Sequence, residues 1–148
     1  MSANIFAPIE IRELFVVASQ FKLSQNPAAN MELNINISLD EGAIEFNEEE
    51  GLSLAQQLTV SARLLGQEEA DDERMVASVS VHIKSFCKAE QDAPGVSDYM
   101  HQSGLSIAYG HARSCIASMT SMSALGQLII PALNPKALLE EVRKAERN

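Results

Sequence analysis

A chain of 148 residues is long enough for one hydrophobic core and short for two, so residues 1–148 read as a single domain. Eleven basic against twenty acidic residues give a formal net charge of −9, which repels nucleic acid phosphate and anionic membrane. Aromatic residues make up 5% and tryptophan is absent, so the core must be aliphatic. Two cysteines, Cys87 and Cys115, are too few for a disulfide framework and read as free thiols in a reducing compartment. The first residues carry neither a basic region nor a long apolar run, and no stretch approaches the roughly 18 apolar residues of a membrane span. These features predict a cytoplasmic protein without a membrane span.

The first two-thirds of the chain predicts strands. In residues 32–39, Leu33, Ile35, Ile37 and Leu39 alternate with Glu32, Asn34, Asn36 and Ser38, which is the period of a half-buried strand. Leu58, Val60, Ala62 and Leu64 alternate with Gln57, Thr59, Ser61 and Arg63; Ala77, Val79, Val81 and Ile83 alternate with Ser78, Ser80, His82 and Lys84. Residues 14–21 are apolar and β-prone but less regular. Residues 66–74 and 40–51 are acidic, glycine-bearing connections, and no helical crossover separates the strands, so the sheet is expected to be antiparallel.

The period changes after Pro94-Gly95. Leu105, Ala108, Tyr109, Ala112, Cys115, Ile116, Met119 and Met122 recur at spacings of three and four, which predicts an amphipathic helix capped by Ser97 or Asp98 and stopped near Gly126. Asn134-Pro135 supplies an N-cap and a first-turn proline for a second helix over residues 135–147, with Leu138, Leu139 and Val142 on one face. The predicted class is α+β: a four-stranded antiparallel sheet followed by one long and one short C-terminal helix packed on one face.

No catalytic constellation stands out, and the chain is not expected to be an enzyme. There is no GxxxxGK[ST] or GxGxxG loop, and no cofactor is expected. His111 and Cys115 lie four apart on a helix, but two ligands without a CxxC or HExxH partner set do not make a metal site. The acids Glu48, Glu49 and Glu50, and Glu68, Glu69, Asp71, Asp72 and Glu73, lack the spacing of a calcium loop and read as solvated turns. His82 falls on a polar strand face; His101 has no evident role.

The Ala112-Arg113 pair within the long helix is followed by Ile116 and Met119, then by Gln127, Leu128, Ile130, Pro131, Leu133 and Asn134 and a second short helix. This pattern resembles the C-terminal half of the SecB export chaperones. Residues 58–64 look like the family's third strand, and Phe21 and Pro27 stand at the spacing of a family Phe and Pro. The resemblance implies an ATP-independent holdase that binds unfolded or nascent polypeptide during export, assembled as a homotetramer, a dimer of dimers. The family's acidic positions for docking the SecA motor are here Ala18 and Lys22, its aromatic-Pro pair is Leu125-Gly126, and the tyrosine before Ala-Arg is His111. Those departures open a second implication, a SecB-like chaperone dedicated to an antitoxin in a toxin–antitoxin system. A third is an adaptor of the same fold that binds one folded partner.

A groove that shields unfolded chain needs apolar walls. Candidates are Phe21 and Leu23 on the first strand, Leu125, Leu128, Ile130 and Leu133 between the helices, and Leu138, Leu139 and Val142 on the second helix. The same leucine- and isoleucine-rich segment also reads as ordinary core. On the long helix, Leu105, Tyr109, Ala112, Ile116 and Met119 are expected to face the sheet. Ala108, Cys115, Ser118 and Met122 are expected to remain for an oligomer interface. Arg113 reads either as half of a structural ion pair or as a cap on a subunit contact.

Overall fold

The computed structural model describes residues 9–24, 27, 30–67, 73–90 and 95–147. Five strands precede two helices: β1 (Ile9–Leu23), β2 (Met31–Glu41), β3 (Glu45–Asn47), β4 (Gly51–Gln67), β5 (Glu73–Ala89), α1 (Val96–Thr120) and α2 (Pro135–Arg147). The strand order is β1-β5-β4-β2, with β3 paired to β4, and every pairing is antiparallel. This is the expected α+β arrangement, with one short strand added inside the acidic connection of residues 40–51.

Alternation fixes the two faces of the sheet. Leu58, Val60 and Ala62 pair with Ile83, Val81 and Val79 on one side and with Leu39, Ile37 and Ile35 on the other. All point to the helical layer, because a side-chain period of two keeps paired positions on one face. The opposite face is polar. There Ser61 and Ser80 share a hydrogen bond at 3.3 Å, and His82 Nε2 donates to Gln57 Oε1 at 3.0 Å. The acidic residues Glu68, Glu69, Asp71 and Asp72, like Pro94, lie outside the described residues.

The three long strands outrun their apolar alternation. β4 begins seven residues before Leu58, and β5 runs six residues past Ile83. The extra length is masked in sequence because its helix-facing positions include polar Gln56 and Ser85, buried all the same. β1 carries irregularities between Ile11 and Glu13 and between Val16 and Ala18, which explains its imperfect alternation.

α1 starts at Val96, not at a side-chain cap. Gly95 holds the N-cap position with φ 73°, and its carbonyl accepts the amide of Tyr99 at 3.1 Å. Ser97 and Asp98 therefore lie inside the first turn. Gly104 is a mid-helix residue pressed against β4, where a Cβ would sit 2.4 Å from Gln56 Oε1. Leu105, Ala108, Ala112 and Ile116, all buried, seat the helix on the sheet. Ala108 is thus a correction: it is 2% exposed within one chain and lends nothing to an oligomer surface, because the 105–108–112–116 row is the sheet-facing row. Cys115 is half-buried beside that row, Ser118 is exposed and Met122 is 95% exposed.

The core is one large cluster under the C-terminal part of α1, a smaller one around Leu54, Cys87, Val96 and Met100, and a third of Leu64, Val76 and Ala77. Both cysteines are free, and burial pushes the Cys87 thiol up from its ordinary value.

Candidate functional site

The segment between the helices is built by hydrogen bonds from one stripe of α1. The helix stops at Thr120, six residues before Gly126, because serine and threonine hydroxyls take over its last carbonyls. Thr120 Oγ1 donates to Ile116 O at 2.8 Å, Ser121 Oγ to Ser118 O at 2.8 Å, and Ser123 Oγ to Thr120 O at 2.7 Å. The chain then turns through Gly126, φ 71°, and runs back along the helix as an irregular strap, residues 126–134.

An irregular segment against a core must satisfy its backbone elsewhere. Leu128 N donates to Thr120 Oγ1 at 2.8 Å, Arg113 Nε donates to Ile130 O at 2.7 Å, and Tyr109 OH donates to Pro131 O at 2.5 Å. Among the described residues Arg113 thus meets a backbone carbonyl of the strap, not the acidic partner of an ion pair. Burial raises the Tyr109 phenol above its ordinary value, opposed by the nearby Arg113 charge, so the hydroxyl stays a donor.

The strap alternates in depth. Ile130 is fully buried, Leu128 and Leu133 are half-buried, and Ile129 is 60% exposed. Where the strap leaves α1, an apolar crevice runs between it and β1. Ala62, Leu64, Ala77 and Val79 make its floor, Phe21 one wall, and Thr120, Leu125 and Leu128 the other. The side chains close it to a narrow seam that holds no space for a water molecule, so it is neither a cofactor pocket nor a formed cavity.

α2 begins as the sequence predicts. Asn134 Oδ1 accepts the Ala137 amide at 3.1 Å, and Asn134 O accepts the Leu138 amide at 3.1 Å. Its apolar face joins the core through buried Leu139 and half-buried Leu138, alongside Leu33, Ile35, Ile37 and Leu39 of β2. Farther along, Arg143 Nη2 reaches Glu41 Oε1 at 2.8 Å, and His101 Nδ1 lies 2.5 Å from the same oxygen, without hydrogen-bond geometry. Gln56 Nε2 donates to His101 O at 3.4 Å. Burial lowers the His101 pKa, with the Arg143 charge in the same direction and Glu41 and Asp98 opposing.

Of the predicted groove residues, Phe21, Leu125 and Leu128 line the crevice together. Leu23 is half-buried against the third core cluster, and Leu133, Leu138 and Val142 are half-buried under the strap and α2. Ile130 and Leu139 are corrected to core: at 0% and 2% exposure they form no open wall. Ile129 was missed. Its signal was its place between two inward-facing neighbours, Leu128 and Ile130, in an extended segment. Ala18 and Lys22 are exposed on edge strand β1. Among the described residues no group of three or more His, Cys, Asp or Glu side chains is placed to hold a metal, and no helix is long and apolar enough to cross a membrane.

The sheet order, the two-helix layer and the crevice at its edge define an α+β protein of the SecB-like fold. No family model and no curated protein matches the chain in sequence. Among solved structures it is similar to a SecB-like chaperone of Mycobacterium tuberculosis, in complex with a ChAD peptide from the HigA1 antitoxin. The TM-score is 0.60 at 15% identity, over 86% of this chain and 91% of that one. A protein of unknown function from Streptococcus agalactiae aligns at TM-score 0.41 and 9% identity, over 83% of this chain and 96% of that one.

Proposed function

We propose that the protein is an ATP-independent chaperone that holds exposed apolar segments of unfolded polypeptide, with no catalytic step. The observation that carries this reading is apolar surface at the strap: Ile129 points outward beside the half-buried side chains of the seam. Phe21, Leu125 and Leu128 offer one apolar subsite there. Unfolded chain presents apolar side chains, whose burial contributes roughly 25 cal/mol per Å² before ordering costs. Weak subsites repeated over an oligomer add through multivalency. The reading includes assembly as a homotetramer, with Ser118 exposed on α1, Met122 exposed just past its end, and Cys115 half-buried at the edge of the core.

Within this class, a client of restricted sequence, such as an antitoxin segment, is favoured over general export. The structurally similar mycobacterial protein carries an antitoxin peptide, and Ala18 and Lys22 offer SecA none of the acids of the export family. The test is whether the protein, at near-stoichiometric amounts and without nucleotide, stops urea-unfolded carbonic anhydrase from aggregating. Suppression supports a general holdase. Its absence, with binding to an apolar antitoxin-type peptide, supports the dedicated form. Binding only to a folded partner makes the protein an adaptor and overturns the reading. Light scattering checks the assembly: a monodisperse 16.1 kDa monomer rejects the tetramer.

A further inference from the structure

We propose that Glu41, His101 and Arg143 form an acid-released latch that ties α2 to the end of β2. Three elements meet at one carboxylate oxygen. β2 supplies Glu41 at its last residue, α1 supplies His101, and α2 supplies Arg143. Glu41 is read in sequence as one more solvated acid, yet its side chain is 8% exposed. A buried carboxylate needs a cation, and Arg143, 102 residues away, provides it.

The latch adds a polar tie to an apolar one. Leu139 is the buried apolar side chain of the helix, and Leu138 and Val142 are half-buried. Leu139 belongs to the same core cluster against which Leu33, Ile35, Ile37 and Leu39 of β2 pack. Lifting α2 bares the helix's own leucines and the part of that cluster that Leu139 closes.

His101 makes the latch sensitive to protons. Its Nδ1 faces the oxygen that Arg143 also contacts without making a hydrogen bond to it, so protonating the ring sets a second positive charge beside that of Arg143. The imidazolium then competes with Arg143 for a single carboxylate oxygen. Among the described residues the charged groups that bear on the ring are Glu41 from β2, Arg143 from α2 and Asp98 from α1; from β4 the neighbour is neutral Gln56. Glu41 and Asp98 favour the cation, while burial and Arg143 oppose it more strongly. The docked state therefore binds the proton less readily than an open state with a solvated histidine of ordinary value 6.5. The sign follows from linkage: docking is at full strength above that value and weakens as pH falls through it.

The effect on client binding rests on the function proposed above; the latch itself does not. The test is hydrogen exchange of residues 135–146 at pH 7.5 and 5.5, corrected for the intrinsic rate, with α1 and β5 as internal references. Protection of α2 is expected to fall up to about tenfold between the two pH values, the limit set by a solvated histidine, while the references hold. H101Q removes the pH dependence. R143M, a change at a half-exposed side chain, lowers protection at both pH values. Protection that is independent of pH in the unmodified protein, or equally pH-dependent in H101Q, overturns the latch. Titration of reduced, carboxymethylated α-lactalbumin separates the two readings. Exchange that responds without any binding removes the chaperone and leaves the latch; binding with unresponsive exchange does the reverse.

Discussion

The two ends of the helical layer differ in whether their packing includes charge. At the C-terminal end of α1 the seam between layers is apolar, with Phe21, Leu125 and Leu128 along it. Toward the N-terminal end the apolar cluster of Leu54, Cys87, Val96 and Met100 is joined by buried Gln56, Ser85 and His101, with Glu41 and Arg143 beside them. Apolar surface is non-directional and tolerates many partners. Buried charge demands one partner in one geometry. On the function proposed above, the first end is where varied chain segments would be held, and on the latch proposed above the second end ties α2 to β2.

Substitutions sharpen that contrast in order of their expected cost. Ile130→Ala, at a fully buried strap residue, is expected to destabilise the fold by about 2–5 kcal/mol in urea unfolding. A cost within about 0.5 kcal/mol would place the strap outside the core. Arg113→Met removes the donor to Ile130 O and is expected to cost about 1.5–3 kcal/mol, with faster exchange confined to the strap. Thr120→Val takes away the acceptor for Leu128 N, for about 1 kcal/mol, and should loosen the crevice wall before the rest of the molecule. Ile129→Ser closes the series. At 60% exposure its stability change should stay within about 0.5 kcal/mol, while capture of unfolded chain weakens. Unchanged capture in Ile129→Ser and in Leu128→Ser would remove the apolar end from the function.

The same two ends differ in how far they could be read from sequence. Leu33 to Leu39, Leu58 to Leu64 and Ala77 to Ile83 announce their strands by alternation, and Asn134-Pro135 announces α2 by its cap. Phe21, Leu125 and Leu128 were legible as apolar candidates because composition marks them. The polar end was not legible. Glu41 looks like any acid in a turn until Arg143 arrives from the far end of the chain, and His101 has no local pattern. Gln56 and Ser85 hide the true length of two strands by breaking the apolar rhythm. The early stop of α1 at Thr120 rests on hydroxyl–carbonyl bonds, which carry no hydrophobic period. Strand order was equally silent: β1 and β2 follow each other in sequence and stand at opposite edges.

That order has a consequence during synthesis. β1 pairs with β5, with Ile9 opposite Ala89 and Leu23 opposite Ala77. β4 and β5 join locally, but β1 has no hydrogen-bonding neighbour until β5 has left the exit tunnel. At about 5–20 residues per second, an apolar, edge-forming segment waits several seconds unpaired. A protein proposed to shelter other unfinished chains thus passes through the same state itself, with β1 exposed until β5 emerges.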